Sequence, residues 1–132
     1  MTSPIQPVET LSFVGAVHID DIASSTRPLI AQASNPVTWQ RRVGGVAANA
    51  ALAAIDVIAA AQRVELTAAT GDDALADQLE RTLETAGITP CLQRIPGQST
   101  GRYSAIMDNT GELFIGLSDV GVAEHLDPAL PG

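Results

Sequence analysis

The chain contains no lysine; its seven basic residues are all arginines. A lysine nucleophile, a Schiff base and a Walker-type phosphate lysine are therefore excluded from these residues. Fifteen acidic side chains against those arginines give a formal charge of −8. Duplex nucleic acid needs clustered positive charge, so it is not expected as a partner. Cys91 is the single cysteine, which rules out an internal disulfide and a cysteine-rich zinc site and suits a reducing compartment. No apolar run reaches bilayer length, and the first ten residues, MTSPIQPVET, lack the charged start and apolar stretch of a signal peptide. A cytoplasmic protein with no membrane contact is the expectation.

What is present fits one globular core. The 132 residues are 45% hydrophobic and 17% charged, too apolar for a disordered chain and of ordinary single-domain length. Leu11–Val17 is a compact apolar run that reads as a buried strand, followed by the acidic pair Asp20 and Asp21. The stretch from Ser24 to Val43 mixes prolines, Asn35 and serines with Trp39 and two arginines, and reads as loop with at most one short strand. From Gly44 to Gln62 the sequence GGVAANAALAAIDVIAAAQ is rich in alanine and apolar on nearly every side, which predicts a buried helix.

Val64–Thr70 predicts another strand, and GDDALADQLERTLETAGI a second helix with clear punctuation. Asp72 or Asp73 caps its start, Leu75, Leu79, Leu83 and Ala86 form one stripe, and Gly87 supplies the left-handed end. Thr89–Ile95, Gly101–Met107 and Glu112–Ser118 then read as strands of a small β extension, the last two joined by the turn Asp108–Gly111. Alternation places Tyr103, Ala105 and Met107 on one face of their strand, and Leu113, Ile115 and Leu117 on one face of the next. The order of elements predicts an α/β layer with a mostly parallel sheet and right-handed crossovers.

Three clusters are candidates for chemistry. Gly44 and Gly45 precede a helix, where backbone amides point outward, and Asn49 lies one turn in, able to hydrogen-bond a hydroxyl. A Gly-Gly pair also serves simply as a tight connection, and G-x-G-x-x-G spacing is missing. Asp20 follows a strand, where a carboxylate can accept from two sugar hydroxyls, or it caps the next turn. Gly71, Asp72 and Asp73 read as helix capping. His18 and His125 have no neighbours at zinc-ligand or triad spacing.

These motifs, taken in order, resemble the N-terminal half of the PfkB (ribokinase-like) carbohydrate kinase family. FVGAVHID is similar to the family's opening strand with its sugar-binding aspartate, here Asp20. GGVAANAA resembles its glycine-glycine-x-x-x-asparagine motif, ATGDD its strand end, and STGRYSAIMDNTGEL its lid hairpin. The run TGRYSAIMDNTGELFIGLSD is most similar to pseudouridine kinase-like members. Two departures bear on acceptor preference: Val46 stands where several sugar kinases place a lysine, and Ala76 where a glycine is common.

The resemblance implies the N-terminal part of a ribokinase-like fold over residues 1–132, with lid strands at about 89–118. It implies transfer of phosphate from ATP, with Mg2+, to a hydroxyl of a sugar or nucleoside. By position, Asp20, Gly44, Gly45 and Asn49 would hold acceptor hydroxyls, and Tyr103 and Ala105 would face the sugar from the lid. The family's glycine-alanine-glycine-aspartate motif, which holds the phosphate and supplies the base, is absent from these residues. A shortened chain, inactive by itself and unable to bind ATP and Mg2+ fully, is therefore expected, pairing with a second copy through its lid hairpin. The alternative is a non-catalytic module that binds a small ligand or dimerises.

Overall fold

The computed structural model describes residues 9–58 and 62–129. Its seven strands are β1 (Thr10–Val14), β2 (His18–Ser24), β3 (Thr38–Gly44), β4 (Arg63–Gly71), β5 (Ile88–Ile95), β6 (Arg102–Met107) and β7 (Leu113–Asp119). Two α-helices, α1 (Val46–Ile55) and α2 (Ala74–Thr85), and a 3-10 turn at Gly121–His125 are the other elements of the described residues. The strands divide into a parallel three-stranded sheet, β1-β4-β5, and a four-stranded sheet, β3-β2-β6-β7. We call the first the layer and the second the lid.

The core lies where both helices meet the layer. Ala47, Ala48 and Ala51 of α1 and Leu79 and Leu83 of α2 join Val64, Leu66 and Ala68 of β4, with Val17, Ile19, Ile88 and Leu92. Leu66, Leu79 and Leu83 are fully buried, and each such side chain contributes about 1.5–3 kcal/mol from area removed from water. The buried side of α1 is alanine, which lets the helix approach the sheet closely. That helix is not buried all round, however, since Val46 is 85% exposed. It also ends earlier than its composition predicts, at Asp56. The following Val57 and Ile58 are β-branched and poor helix formers, and Ala59–Ala61 lie outside the described residues.

α2 follows its sequence signals closely. The Asp73 side chain accepts from the Ala76 amide at 3.0 Å, and Gly87 at φ +93° ends the helix in the left-handed region. Asp73 does more than cap. It also accepts from the Thr100 amide at 2.9 Å and from the Thr100 hydroxyl at 2.6 Å, so it ties the start of α2 to the segment entering β6.

Two expectations need correction, at the first apolar run and at β5. The apolar run at Leu11–Val17 is not one strand: β1 ends at Val14, the chain turns at Gly15, and β2 begins at His18 in the other sheet. The segment from Ser24 to Val43 is a loop followed by one strand, β3, as expected; its polar residues find partners on β2, Arg41 opposite Asp21 and Arg42 opposite Asp20. Finally, β5 does not belong to the lid, as the expected bounds of about 89–118 require. Its crossover through α2 returns it parallel to β4, with Val64 opposite Ile88 through Gly71 opposite Ile95. The lid hairpin β6–β7 forms as expected, but a bulge between Ile106 and Met107 sets Leu113 opposite Met107 and breaks strict alternation near the turn.

Candidate functional site

Asp20 stands in the middle of β2, flanked by Arg42 on β3 and Tyr103 on β6. A residue paired in a ladder on both sides is not capping a turn, which removes the bland alternative for this carboxylate. The strand carries it to the foot of the lid, where β3 runs into α1. There a Cβ on Gly44 would collide with both Asp20 oxygens, so only glycine lets the carboxylate lie against the backbone. Gly45 has a different reason: its φ is +100°, and a Cβ would strike the Ala16 carbonyl. The pair thus makes a tight connection at Gly45 and a close approach to Asp20 at Gly44.

His18 was not among the expected binding residues. Its Nδ1 lies 2.7 Å from Asp20 Oδ1, with the two side chains 20% and 26% exposed. The distance is that of an ion pair, yet neither buried atom completes an aligned hydrogen bond within the protein. Oδ1 is thus closed in beside His18, and it is the remainder of the partly exposed carboxylate that has capacity to accept from a hydroxyl. The signal for His18 was available, because residues two apart on a strand share a face and His18 precedes Asp20 by two.

The other candidates lie on α1, for Asn49, and on β6, for Tyr103 and Ala105. Asn49 is exposed one turn into α1, its amide donating to the Gly45 carbonyl at 2.9 Å. Tyr103 sits beside Asp20 in the lid, and its ring lies over Gly116 of β7, where a Cβ would overlap the hydroxyl. Ala105 is buried, between Ile22 of β2 and Gly116 of β7 in register. Asp20, Gly44, Gly45 and Tyr103 are thus brought together around the junction of lid and α1. Ala105 stands two residues further up the same face of β6.

The adjacent Asp21 points to the opposite face and is 5% exposed. Arg41 donates to it from Nε at 2.7 Å and from Nη2 at 2.9 Å, and Arg102 from Nε at 3.1 Å. The hydrogen bonds from Arg41 hold the Asp21 carboxyl below the usual carboxylate range against the opposing effect of burial, and Arg102 adds to the depression.

Residues 8–130 match the model of the pfkB family carbohydrate kinases. The chain belongs to that family. Among its relatives, the pseudouridine kinase of Escherichia coli strain K12 is 28% identical over 115 residues, which cover 86% of this chain and 36% of the relative. A carbohydrate kinase structure from Agrobacterium tumefaciens superposes with a TM-score of 0.75 at 26% identity, over 85% of this chain and 36% of that one. A ribokinase from Cryptococcus neoformans var. grubii serotype A, in complex with ADP, gives 0.67 at 27% identity over 92% and 37%. This pfkB-family chain therefore spans a little over a third of the relatives it matches.

These residues do not fit a nucleoside triphosphate and its metal ion. Among the described residues no three His, Cys, Asp or Glu side chains gather to hold a metal. The glycine-flanked start of α1 would otherwise favour an anion, but it faces the Asp20 carboxylate, whose charge opposes a phosphate there. Among the described residues no helix is long and apolar enough to cross a membrane.

Proposed function

We propose that this chain is the acceptor-binding and lid portion of a PfkB-type kinase, and that it holds a sugar or nucleoside by its hydroxyls at the junction of lid and α1. The observation that carries this reading is the Asp20 carboxylate, set against Gly44 in the middle of a lid strand and 26% exposed. Two adjacent hydroxyls suit such a carboxylate, because charge-assisted hydrogen bonds are short and each contributes about 1.5–3 kcal/mol. Gly44 and Gly45 keep the floor free of side chains, Asn49 offers an amide, and Tyr103 and Ala105 form the covering face. The likeness to a pseudouridine kinase makes a nucleoside such as pseudouridine the first acceptor to try, ahead of a plain pentose.

Phosphoryl transfer needs a base aligned on the acceptor oxygen and a cradle for the transferring phosphate. The glycine-alanine-glycine-aspartate motif that supplies both in the family is absent from these residues, so the expectation is that the chain by itself binds acceptor without turning it over. Its single cysteine fits a cytoplasmic setting. Calorimetric titration with pseudouridine, uridine and ribose tests the reading, alongside coupled ADP release. Binding of at least one acceptor that disappears in Asp20→Ala supports it; equal affinity in the variant removes Asp20 from the site.

A second reading, a module that pairs through its lid, draws on β7. All seven of its residues are exposed, including Leu113, Phe114, Ile115 and Leu117, and it is one of the two edge strands of its sheet, with β3 at the other edge. An apolar edge of this kind invites a second copy. Light scattering on the wild type and on Ile115→Lys tests this: a dimer reduced to monomer in the variant supports it, and a wild-type monomer at tens of micromolar removes it.

A further inference from the structure

We propose that Asp21 is a positioning residue: it locks the lid to α2 and thereby sets where Asp20 stands relative to the start of α1, an inference that rests on the acceptor-site reading above. Successive residues of a strand face opposite ways, so β2 presents one carboxylate to each side of the lid. On its own side Asp21 is a buried charge, a costly choice unless it is paired and hydrogen-bonded. The pairing is complete. Arg41 of β3 grips it through Nε and Nη2, and Arg102 of β6 approaches to 3.1 Å through Nε and 2.9 Å through Nη2. One carboxylate thus binds three neighbouring strands side by side.

The lock then reaches out of the sheet. Arg41 Nη1 donates to Gln78 Oε1 of α2 at 3.2 Å. The same helix is joined to the lid at a second place, where Asp73 accepts from Thr100 just before β6. Packing of Ile19 and Val43 against the core joins the lid to the layer, but apolar contact of this kind is non-directional. Two ties separated along α2, at its N-cap and at Gln78, define the angle. An apolar residue at position 21 could fill the space, but it would impose no direction, whereas guanidinium-carboxylate bonds are directional and pin the tilt. Because Asp20 is the next residue on the same strand, the tilt that Asp21 sets is also the position of the acceptor carboxylate.

Residual dipolar couplings of backbone amides in the lid and in the layer report the angle between the two sheets. The wild type, Asp21→Asn, Gln78→Ala and Gln78→Glu are compared, with affinity for pseudouridine and ribose measured by calorimetry. Gln78→Ala removes one exposed hydrogen bond and leaves the lid strands intact, so it reports the angle even if Asp21→Asn folds poorly. The expected result is a common alignment of lid and layer in the wild type and in Gln78→Glu, where a carboxylate again accepts from Arg41. In Gln78→Ala and Asp21→Asn the two alignments diverge, and acceptor affinity falls on the order of tenfold. A common alignment in both of those variants overturns the proposal. So does a changed angle with unchanged affinity. If no acceptor binds even the wild type, the acceptor-site reading falls, and the alignment alone decides whether Asp21 sets the angle.

Discussion

Replacing Asp73 with alanine removes more than a helix cap. Its carboxylate accepts from the Ala76 amide, from the Thr100 amide and from the Thr100 hydroxyl. The cap contributes about 1 kcal/mol, and each of the other two bonds, made to a charged acceptor in a partly buried place, about 1.5 kcal/mol. Thr100 is 1% exposed, so its amide and hydroxyl are left without an acceptor. Asp73→Ala is expected to destabilise by about 4 kcal/mol, a large part of the 5–15 kcal/mol typical of a domain. With a slope near 2 kcal/mol per molar urea, the unfolding midpoint falls by about 2 M.

Asp72→Ala is the internal control. That carboxylate is 68% exposed and 3.7 Å from Arg94, so its loss stays within about 0.5 kcal/mol. The effect has a pH signature. Burial pushes the Asp73 carboxyl up, but the bonds from Thr100 and Ala76 outweigh it and leave the group below its ordinary value. A carboxyl depressed in the folded state stabilises fully above the unfolded value near 3.9, and that contribution drains away as pH falls from there toward the folded value. Wild type should therefore lose an acid-sensitive increment below about pH 4 that Asp73→Ala lacks. Urea unfolding followed by circular dichroism between neutral and acid pH measures both. A loss under about 1 kcal/mol at neutral pH, or one equal to that of Asp72→Ala, would refute the reasoning.

Gly44→Ala sets a methyl group onto the Asp20 carboxylate. Because that carboxylate swings on a short side chain, stability should fall by only about 1 kcal/mol, while acceptor affinity in calorimetry falls on the order of tenfold or more; undiminished binding would remove Gly44 from the site floor. Leu79→Ala empties a fully buried position between α2 and the layer and should cost about 2–5 kcal/mol in urea unfolding without shifting acceptor affinity. A loss under 1 kcal/mol would mean that the core collapses around the gap.

The parts legible in the sequence are those whose causes are local. The cap at Asp73, the leucine stripe and the reversal at Gly87 lie within one helix, and the turn at Asp108–Gly111 lies within one hairpin. Asp20, Gly44 and Gly45 could likewise be picked out, because a carboxylate and two glycines at a given spacing narrow the chemistry before any packing is known. What that spacing left open was whether Asp20 caps a turn. The answer depends on residues far along the chain, Arg42 on one side and Tyr103 on the other.

Tertiary structure alone assigned the strands to their sheets. The charges of HIDDIAS and TWQRRVG left their bounds and partners open, and they pair as neighbouring strands with Asp21 neutralising Arg41 across the ladder. β5 has the look of any short apolar strand, and only the crossover through α2 delivers it to β4 instead of the lid. The closeness of His18 to Asp20 and the tie from Asp21 through Arg41 to Gln78 are of the same kind. A local pattern fixes which way a side chain can face; which partner it meets there is decided by contacts between residues distant in sequence, and these exist only once the chain has closed on itself.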